Sequence, residues 1–226
     1  MQTLLVPVED SPLMLSVPRI EAGDAFSATD TECDVLLYTF AGTGSLRLAD
    51  ETFELRAGTA ALAIAGEDAT LTAGAHSLAV VRATVSAEAD RHAPMGPRES
   101  VVRLEEAGRN RAASARSFQI LFGPHNGSTR ATLFAGFIPP GKAPCHYHLY
   151  DEIVWVPEGP GRLHLGERVA ELEAGSAFRL RPREVHIVEN ASLDREMMVL
   201  GVFTPAGSPS AAYLTPDVAA EYRFAE

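Results

Sequence analysis

The sequence predicts an all-β protein with two related halves, each folded as a barrel or sandwich of short strands. Three observations favour this fold class: short runs of β-favouring residues end at glycines, helical periodicity is scarce, and the two halves share an internal repeat. A chain of 226 residues with 46% hydrophobic residues can bury the core of one large domain or of two small ones.

The internal repeat aligns residues 34–68 with residues 151–185 without a gap, at an offset of 117 positions. It contains 11 identities in 35 positions, and many of them lie around glycines, as in the pair Gly58 and Gly175. Chance rarely produces so many identities in ungapped sequence. The repeat therefore indicates a tandem duplication.

The repeat also predicts the domain boundaries. We expect the first domain over residues 1–88, a connector over residues 89–117 and the second domain over residues 118–226. The connector is rich in Ala, Arg, Glu and Ser, but the apolar residues Val101 and Val102 predict one strand that packs against a domain.

Within each half, a β-rich run ends at a glycine turn. The run at 35–40 precedes Gly42 and the run at 153–156 precedes Gly159, and alternation of apolar and polar residues resumes after the second turn. The clearest helix signal is at the end of the chain. There Thr215 could cap a short helix that runs to about Tyr222.

The second half carries a set of residues with metal chemistry. His146 and His148 are two positions apart, so both side chains leave the same face of a strand, and Glu152 has the same parity. His186 lies on a later predicted strand. Imidazole nitrogens with one carboxylate suit Mn, Fe, Ni, Co or Zn, whereas Mg or Ca would require more oxygen ligands.

These residues match a known spacing, G-x5-H-x-H-x3,4-E-x6-G. The matching positions are His146, His148, Glu152 and Gly159, while the opening glycine is displaced by one position to Gly141. The spacing is that of the first sequence motif of the cupin superfamily, and this half of the chain resembles that family.

The second cupin motif, G-x5-P-x-G-x2-H-x3-N, is matched in spacing by Gly175, His186 and Asn190. Arg181 and Arg183 stand where the family usually has proline and glycine. With the repeat, the resemblance implies a bicupin: two tandem double-stranded β-helix (jelly-roll) barrels followed by a short C-terminal helix. It also implies that a divalent transition metal, Fe, Mn, Ni or Zn, is the cofactor.

The repeat provides an internal control for the metal. Subtracting 117 from the four ligand positions gives Thr29, Thr31, Val35 and Ala69, which are not a plausible set of transition-metal ligands. We therefore expect a metal-free N-terminal barrel and a metal-binding C-terminal barrel.

Two further residues are candidates for catalysis. Tyr150 shares the parity of the ligands and either donates a hydrogen bond into the pocket or packs as a core tyrosine. His164 has Arg47 as its repeat partner and is therefore specific to the metal-bearing half. It could line the pocket and act as the base that takes a substrate proton, or it could lie on the surface.

Two acidic residues near the ligands invite a catalytic reading. Asp151 and Glu184 have the counterparts Asp34 and Glu67 in the half without metal ligands. A role in the scaffold is therefore favoured over a role in the chemistry.

Three classes of function follow. Four protein ligands leave two positions of an octahedral ion open, which suits a bidentate anion, or a substrate together with O₂. The resemblance then implies a dioxygenase-type oxidoreductase acting on a small oxygenated organic acid or enol. The alternatives are a non-redox hydrolase or isomerase, similar in layout to ureidoglycine aminohydrolases, and a small-molecule-binding cupin without turnover.

Composition excludes other partners. A net charge of -11 disfavours nucleic acid, and no apolar run approaches the roughly 20 residues that cross a bilayer. The first residues carry acids and prolines instead of a signal peptide, and Cys33 and Cys145 are the only cysteines, so we expect a cytoplasmic location. The expected partner is a small-molecule substrate, and the chain could form a homodimer.

Overall fold

A computed structural model of the chain describes residues 5–6, 11–112 and 115–214. These residues form 23 strands and one short 3₁₀ helix, Pro124–Asn126, with no α-helix in the described ranges, so the predicted all-β class is confirmed. The predicted helix from Thr215 to about Tyr222 lies outside the described residues. The described part of the chain contains no helix long and apolar enough to cross a membrane.

The first half contains eleven strands, which are β1 (Leu5–Val6), β2 (Leu13–Ser16), β3 (Arg19–Ile20), β4 (Ala25–Ser27), β5 (Cys33–Ala41), β6 (Thr43–Leu48), β7 (Glu51–Arg56), β8 (Thr59–Ala63), β9 (Ala69–Ala73), β10 (Leu78–Ser86) and β11 (Val101–Arg103). They form a seven-stranded sheet in the order β1-β2-β10-β5-β8-β11, with β3 also paired to β10, and a four-stranded sheet in the order β4-β9-β6-β7. Alternate residues of these strands point inward, as the pattern of β9 illustrates, and Val35, Leu46 and Leu71 belong to the resulting core.

The second half contains twelve strands, which are β12 (Arg109–Arg111), β13 (Ser117–Phe122), β14 (Thr132–Ile138), β15 (Gly141–Lys142), β16 (His146–His148), β17 (Asp151–Trp155), β18 (Gly161–Leu165), β19 (Arg168–Leu172), β20 (Ala177–Leu180), β21 (Ile187–Asn190), β22 (Met197–Thr204) and β23 (Ala212–Leu214). Their sheets have the orders β12-β13-β14-β22-β17-β20, β15-β21-β18-β19 and β16-β23. Val154, Leu163 and Leu180 are among the residues of a second apolar core.

The strands of the two halves correspond in order and in register at the offset of 117 positions. The four-stranded sheets β4-β9-β6-β7 and β15-β21-β18-β19 follow one pattern, as do the neighbours β5-β8 and β17-β20. Adding 117 to both members of a first-half pair gives a second-half pair, as in Gly44 with Leu55 and Gly161 with Leu172, Val35 with Ala63 and Glu152 with Leu180, and Ala25 with Thr72 and Lys142 with Glu189. The repeat seen in the sequence is therefore present in the strand pairing.

Backbone contacts divide the chain into two compact units that are not contiguous in sequence. The first unit comprises Met1–Gly108, Ile120–Leu133 and Val202–Gly207, and the second comprises Arg109–Gln119, Phe134–Gly201 and Ser208–Glu226. This division follows spatial clustering, whereas the predicted boundaries at residues 88 and 118 follow the order of the repeat and stay a prediction. The strand predicted within the connector is β11, which pairs with β8.

Candidate functional site

The four predicted ligand residues lie together in the second unit. His146 and His148 lie on β16, and His186 precedes β21 and forms an isolated bridge with His146. The ring centroids of His186 lie 4.4 Å from His146 and 4.9 Å from His148, and Glu152 Oε2 lies 2.9 Å from His148 Nε2. All four residues are buried, with at most 7% of their surface exposed.

The strand that carries these residues is interrupted. The parity argument predicted one strand from His146 to beyond Glu152, but the chain bends at Leu149 and Tyr150, between β16 and β17. The β17 strand then pairs with β20, which places Glu152 opposite Leu180. The bend separates two short strands, and each strand presents its predicted ligand residues to the same cavity. The side chains therefore still converge.

Hydrogen bonds fix the tautomer of all three histidines. In each case Nδ1 donates to a backbone carbonyl. His146 donates to Pro144 at 2.7 Å, His148 donates to Tyr150 at 3.3 Å, and His186 donates to Glu184 at 2.9 Å. A neutral imidazole that donates through Nδ1 carries its lone pair on Nε2. Metal-ligating histidines are oriented in the same way by their second ring nitrogen.

Burial keeps two of these imidazoles neutral. Desolvation, assisted by the neighbouring His186, lowers the pKa of His146 to about 3. Desolvation also lowers the pKa of His186, and the charge of Arg116 acts in the same direction on both rings. Neutral imidazole is the form that binds a metal ion.

One contact in this cluster has no hydrogen bond to account for it. His148 Nε2 is buried and forms no hydrogen bond, although Glu152 Oε2 is only 2.9 Å away. Because Nδ1 of His148 donates to the Tyr150 carbonyl, Nε2 and Glu152 Oε2 face each other with a proton or a metal ion as the bridging cation. Two ligand atoms at about 2.0–2.2 Å from one ion, at a right angle, lie about 3 Å apart.

The ligand residues fit a divalent ion in tautomer, burial and donor type. They do not amount to a preformed cage, because no group of three or more His, Cys, Asp or Glu in the described ranges already has the spacing of a metal site. The evidence for the fit is the common orientation of three Nδ1–H groups and the unpartnered Nε2 of His148 beside a carboxylate.

The four residues line a cavity of about 590 Å³ within the second unit. Three phenylalanines, Phe118, Phe134 and Phe137, form much of its wall. The aliphatic lining residues are Ile138, Val154, Leu180, Val188 and Val199. Apolar walls of this kind exclude water and strengthen charge interactions inside the cavity.

Tyr150 also lines this cavity. Its ring stacks on His148 with centroids 4.1 Å apart and an interplanar angle of 11°, and its hydroxyl donates to the carbonyl of Pro209 at 3.5 Å. Burial and the nearby carboxylate of Glu152 raise its pKa, so the phenol stays protonated. Tyr150 therefore packs against the His148 ring and also faces the cavity.

The structure does not bring His164 to the cavity. His164 lies on β18, where Leu163 is buried in the core and the neighbouring side chains point to the opposite face of the sheet. Its Nε2 lies 2.6 Å from Glu189 Oε2, and this contact lowers the pKa of Glu189. The expectation that His164 acts as a base beside the metal is corrected accordingly.

Asp151 and Glu184 have structural partners, as the repeat predicts. Asp151 Oδ1 accepts a hydrogen bond from Arg179 Nε at 2.8 Å. Glu184 accepts the backbone N–H of residue 181 at 3.0 Å, and Glu67 accepts that of residue 64 at the same distance. Because 64 and 181 differ by 117, the contact is repeated in both halves and belongs to the scaffold.

Several lining residues were not identified from the sequence. Arg111, Arg116 and Phe118 line the cavity, and the two arginines lie in the segment that was assigned to the connector. Nothing in the composition of that segment distinguishes a cavity wall from a linker. Glu152 is the only acidic residue among the described residues that line the cavity.

Gly201 is a second residue that sequence reasoning missed. A Cβ atom at this position would lie 2.5 Å from Phe134 Cζ and 2.7 Å from Glu152 Oε1, closer than real Cβ contacts. Its repeat partner is Thr84, a buried residue, so this position does not require glycine in the first half. The difference between the two copies could have indicated Gly201.

Comparison with known proteins identifies the fold. Residues 135–203 match the family model described as Cupin domain, Cupin_2. No curated protein sequence matches the chain significantly.

Similar solved structures include oxalate decarboxylase from Lactobacillus farciminis in complex with formate, with a TM-score of 0.78 and 12% identity over 98% of this chain and 86% of that chain. Bacillus subtilis oxalate decarboxylase, in a study of its Mn(II) centres, has a TM-score of 0.73 and 13% identity over 91% of this chain and 72% of that chain. A putative glyoxylate-induced protein from Pseudomonas aeruginosa has a TM-score of 0.75 and 14% identity, over 89% and 78% of the two chains. The chain therefore has the cupin jelly-roll fold.

Proposed function

We propose that the second half of the chain binds one divalent transition metal through His146, His148, Glu152 and His186. The observation that carries the proposal is the array of three imidazoles whose Nδ1 atoms donate to carbonyls, with the unpartnered Nε2 of His148 beside the Glu152 carboxylate. The Mn(II) centres of the Bacillus subtilis oxalate decarboxylase support a metal of this class.

We further propose that the chain is a bicupin whose first barrel is metal-free. The common strand register of the two halves supports two barrels. Val35 and Ala69, at the positions of Glu152 and His186, are buried in an apolar core, where a metal ion would have no donor.

The cavity favours an enzyme over a structural metal site. A redox-active ion held by three histidines and one carboxylate can supply Lewis acidity and two open positions. The chain's own residues would add a water-excluding wall, the positive charge of Arg116, and the protonated Tyr150 packed on one ligand. We propose a dioxygenase-type oxidoreductase that acts on a small oxygenated organic acid or enol.

A non-redox enzyme is the second candidate. The structural similarity to oxalate decarboxylases favours chemistry on a carboxylic acid without fixing the need for O₂. The same residues would then hold a Lewis-acidic ion for lyase, isomerase or hydrolase chemistry.

Metal analysis tests the shared part of both candidates. The purified protein should contain about one transition-metal ion per chain, and Glu152→Ala should reduce this to below about one-tenth, because a carboxylate ligand is lost. Glu171→Ala is the matched control, since its side chain is 64% exposed on β19 and does not line the cavity. A metal content equal in all three proteins contradicts the assigned ligands.

Turnover assays separate the candidates. O₂ uptake should appear with small hydroxy and keto acids, and should be lost in Glu152→Ala. Equal aerobic and anaerobic rates would exclude the oxidoreductase in favour of the non-redox enzyme. Binding of the metal and of an acid without any turnover would favour a binding protein.

A further inference from the structure

We propose that the cavity takes an oxygenated acid that carries an apolar body of about the size of one aromatic ring, and that this body lies on an apolar floor beside the proposed metal ligands. The floor consists of Val154, Leu180, Val188 and Val199. The inference rests on the proposed function for the metal-bound head of the substrate, and it deepens that function by naming the rest of the molecule.

The floor follows from the strands that carry the ligand residues. Glu152 and Val154 are two positions apart on β17, so both side chains leave the same face of that strand. His186 and Val188 have the same spacing at the start of β21, and both line the cavity. At about 3.3 Å of rise per residue, each valine lies roughly 7 Å along the chain from its ligand residue. The cavity therefore changes from polar to apolar within two residues of each strand.

Neighbouring strands complete the floor. Leu180 on β20 is paired opposite Glu152, so the two side chains lie on the same face of the sheet, and Val199 lies on β22, which is next to β17. All four floor residues line the cavity, belong to one apolar core cluster and have at most 8% of their surface exposed. Side chains that are packed from behind present a fixed apolar surface to a ligand.

The Phe134 ring borders both the ligand residues and the floor. A Cβ atom built at Gly201 would lie 2.5 Å from Phe134 Cζ and 2.7 Å from Glu152 Oε1. A Cβ atom built at Gly136 would lie 3.3 Å from Phe134 Cε2 and 2.9 Å from Val199 Cγ2. An aromatic body that extends from the ligand residues over the floor can therefore pack against this ring.

The cavity is larger than a very small acid needs. At about 30 Å³ for each water molecule in the liquid, a volume of about 590 Å³ corresponds to roughly 20 waters. Lactate has six non-hydrogen atoms and would leave the floor in contact with water, whereas 3-phenyllactate has twelve and can cover it. The volume lies in the range of pockets that enclose larger organic ligands, about 300–1,000 Å³.

The test is calorimetric titration, in the absence of O₂, of the Mn²⁺-loaded full-length protein with 3-phenyllactate and with lactate. The two acids share the same metal-binding head, and only the first carries a ring. Burial of a ring-sized apolar group predicts that 3-phenyllactate binds about 10–100-fold more tightly than lactate. Equal affinity for the two acids would overturn the proposal.

Variants locate the body on the floor. Val188→Phe places a ring on the floor and should weaken 3-phenyllactate at least about tenfold, while lactate keeps its affinity within about twofold. Val188→Leu adds a single carbon and should weaken 3-phenyllactate about threefold. Val169→Phe, at an exposed position on β19 outside the cavity, should change neither affinity.

Metal content and lactate affinity show whether each variant keeps an intact site, and Val188→Leu decides alone if Val188→Phe loses its metal. Wild-type affinity for 3-phenyllactate in the Val188 variants would contradict the position of the body, as would an equal loss of affinity for both acids.

Failure of this inference and failure of the metal proposal give different results. A second pair of probes, 3-phenylpropan-1-ol and propan-1-ol, lacks the acid head and is titrated into the metal-free protein. If Mn²⁺ does not bind, the alcohol with the ring should still bind at least about tenfold more tightly than propan-1-ol, and only the metal proposal fails. If Mn²⁺ binds and the two acids bind equally, only the apolar body is wrong.

Discussion

Replacing Gly201 by alanine adds one methyl group beside both a ligand residue and the aromatic wall. The added carbon would lie 2.5 Å from Phe134 Cζ and 2.7 Å from Glu152 Oε1. Phe134 is buried and is itself packed close to Gly136, so the ring cannot turn away freely. Overpacking of a dense core costs about 1–3 kcal/mol, and we expect the free energy of unfolding to fall by about 2 kcal/mol.

The same substitution should disturb metal binding, because the Glu152 carboxylate must move to admit the methyl group. Displacement of a ligand by a fraction of an ångström resembles loss of a supporting contact, which weakens metal affinity about 10–100-fold. Urea denaturation of the metal-free protein gives the stability, and competition with a chelator gives the affinity. We expect Gly201→Ala to lower both the stability and the metal affinity.

Two controls decide whether this reasoning holds. Gly108→Ala places its Cβ in open space and should leave stability unchanged or slightly higher. The double variant Phe134→Leu with Gly201→Ala should be about 1 kcal/mol more stable than the sum of the two single changes predicts. The shorter leucine side chain leaves part of the volume that the added methyl group needs. Wild-type stability and wild-type metal affinity in Gly201→Ala would refute the close packing inferred at this position.

Three further predictions use other parts of the chain. Arg183 is exposed with φ of 66°, so Arg183→Gly should raise the free energy of unfolding by about 0.5–1 kcal/mol in urea denaturation, while Arg181→Gly should not. The folded pKa of His146 is about 3, below the unfolded value of about 6.5, so the unfolded state binds more protons as pH falls. Stability of the metal-free protein should therefore be constant above about pH 7 and fall by about 2 kcal/mol between pH 6.5 and 5, and a flat profile in denaturation at several pH values would contradict the neutral state of the buried ring. Asp34→Asn breaks a largely buried ion pair with Arg130 at 2.8 Å and should lower the melting temperature markedly, at a cost of about 3–5 kcal/mol, whereas an unchanged melting temperature would show that the pair contributes nothing.

The fold and the proposed ligand cluster follow from patterns that are local in sequence. Alternation and glycine turns predicted strands that the structure places at Asp151–Trp155, Gly161–Leu165 and Ala177–Leu180. Strand parity predicted that His146, His148 and Glu152 lie on one side, and they do so although the strand is interrupted. The side chains on both sides of the bend still point into the cavity. The proposed ligand cluster could thus be predicted from short-range patterns and one distant histidine.

The cavity wall required long-range information that the sequence did not contain. Arg111 and Arg116 come from a segment that composition describes as a connector, and only the path of the chain decides what they face. The position of His164 was left open for a related reason: alternation gives two faces for a strand, but it does not say which face holds the cavity. The pairing with Glu189 on β21 shows that His164 lies on the other face.

At Arg183 the backbone conformation of the repeat is shared by both halves, although the residue differs. Its partner at the offset of 117 is Gly66, and both residues have positive φ, 66° and 84°. Gly58 and Gly175, another pair, have φ of 87° and 85°. The backbone conformation at these turns is therefore the same in both halves, although one copy has arginine where the other has glycine.

The differences between the halves are concentrated at positions that face the interior. Glu152 replaces the buried Val35, and Gly201 replaces the buried Thr84, while the scaffold contacts of Glu67 are repeated unchanged. An apolar interior in one copy and a polar cluster in the other can share one register, because side-chain direction is set by the strand and not by the residue. The cluster still needs room for its carboxylate, and a glycine on β22 provides that room. A site that is present in only one copy of such a repeat therefore needs two neighbouring differences. One is a polar residue where the other copy has an apolar residue, and the second is a smaller residue that makes room for it.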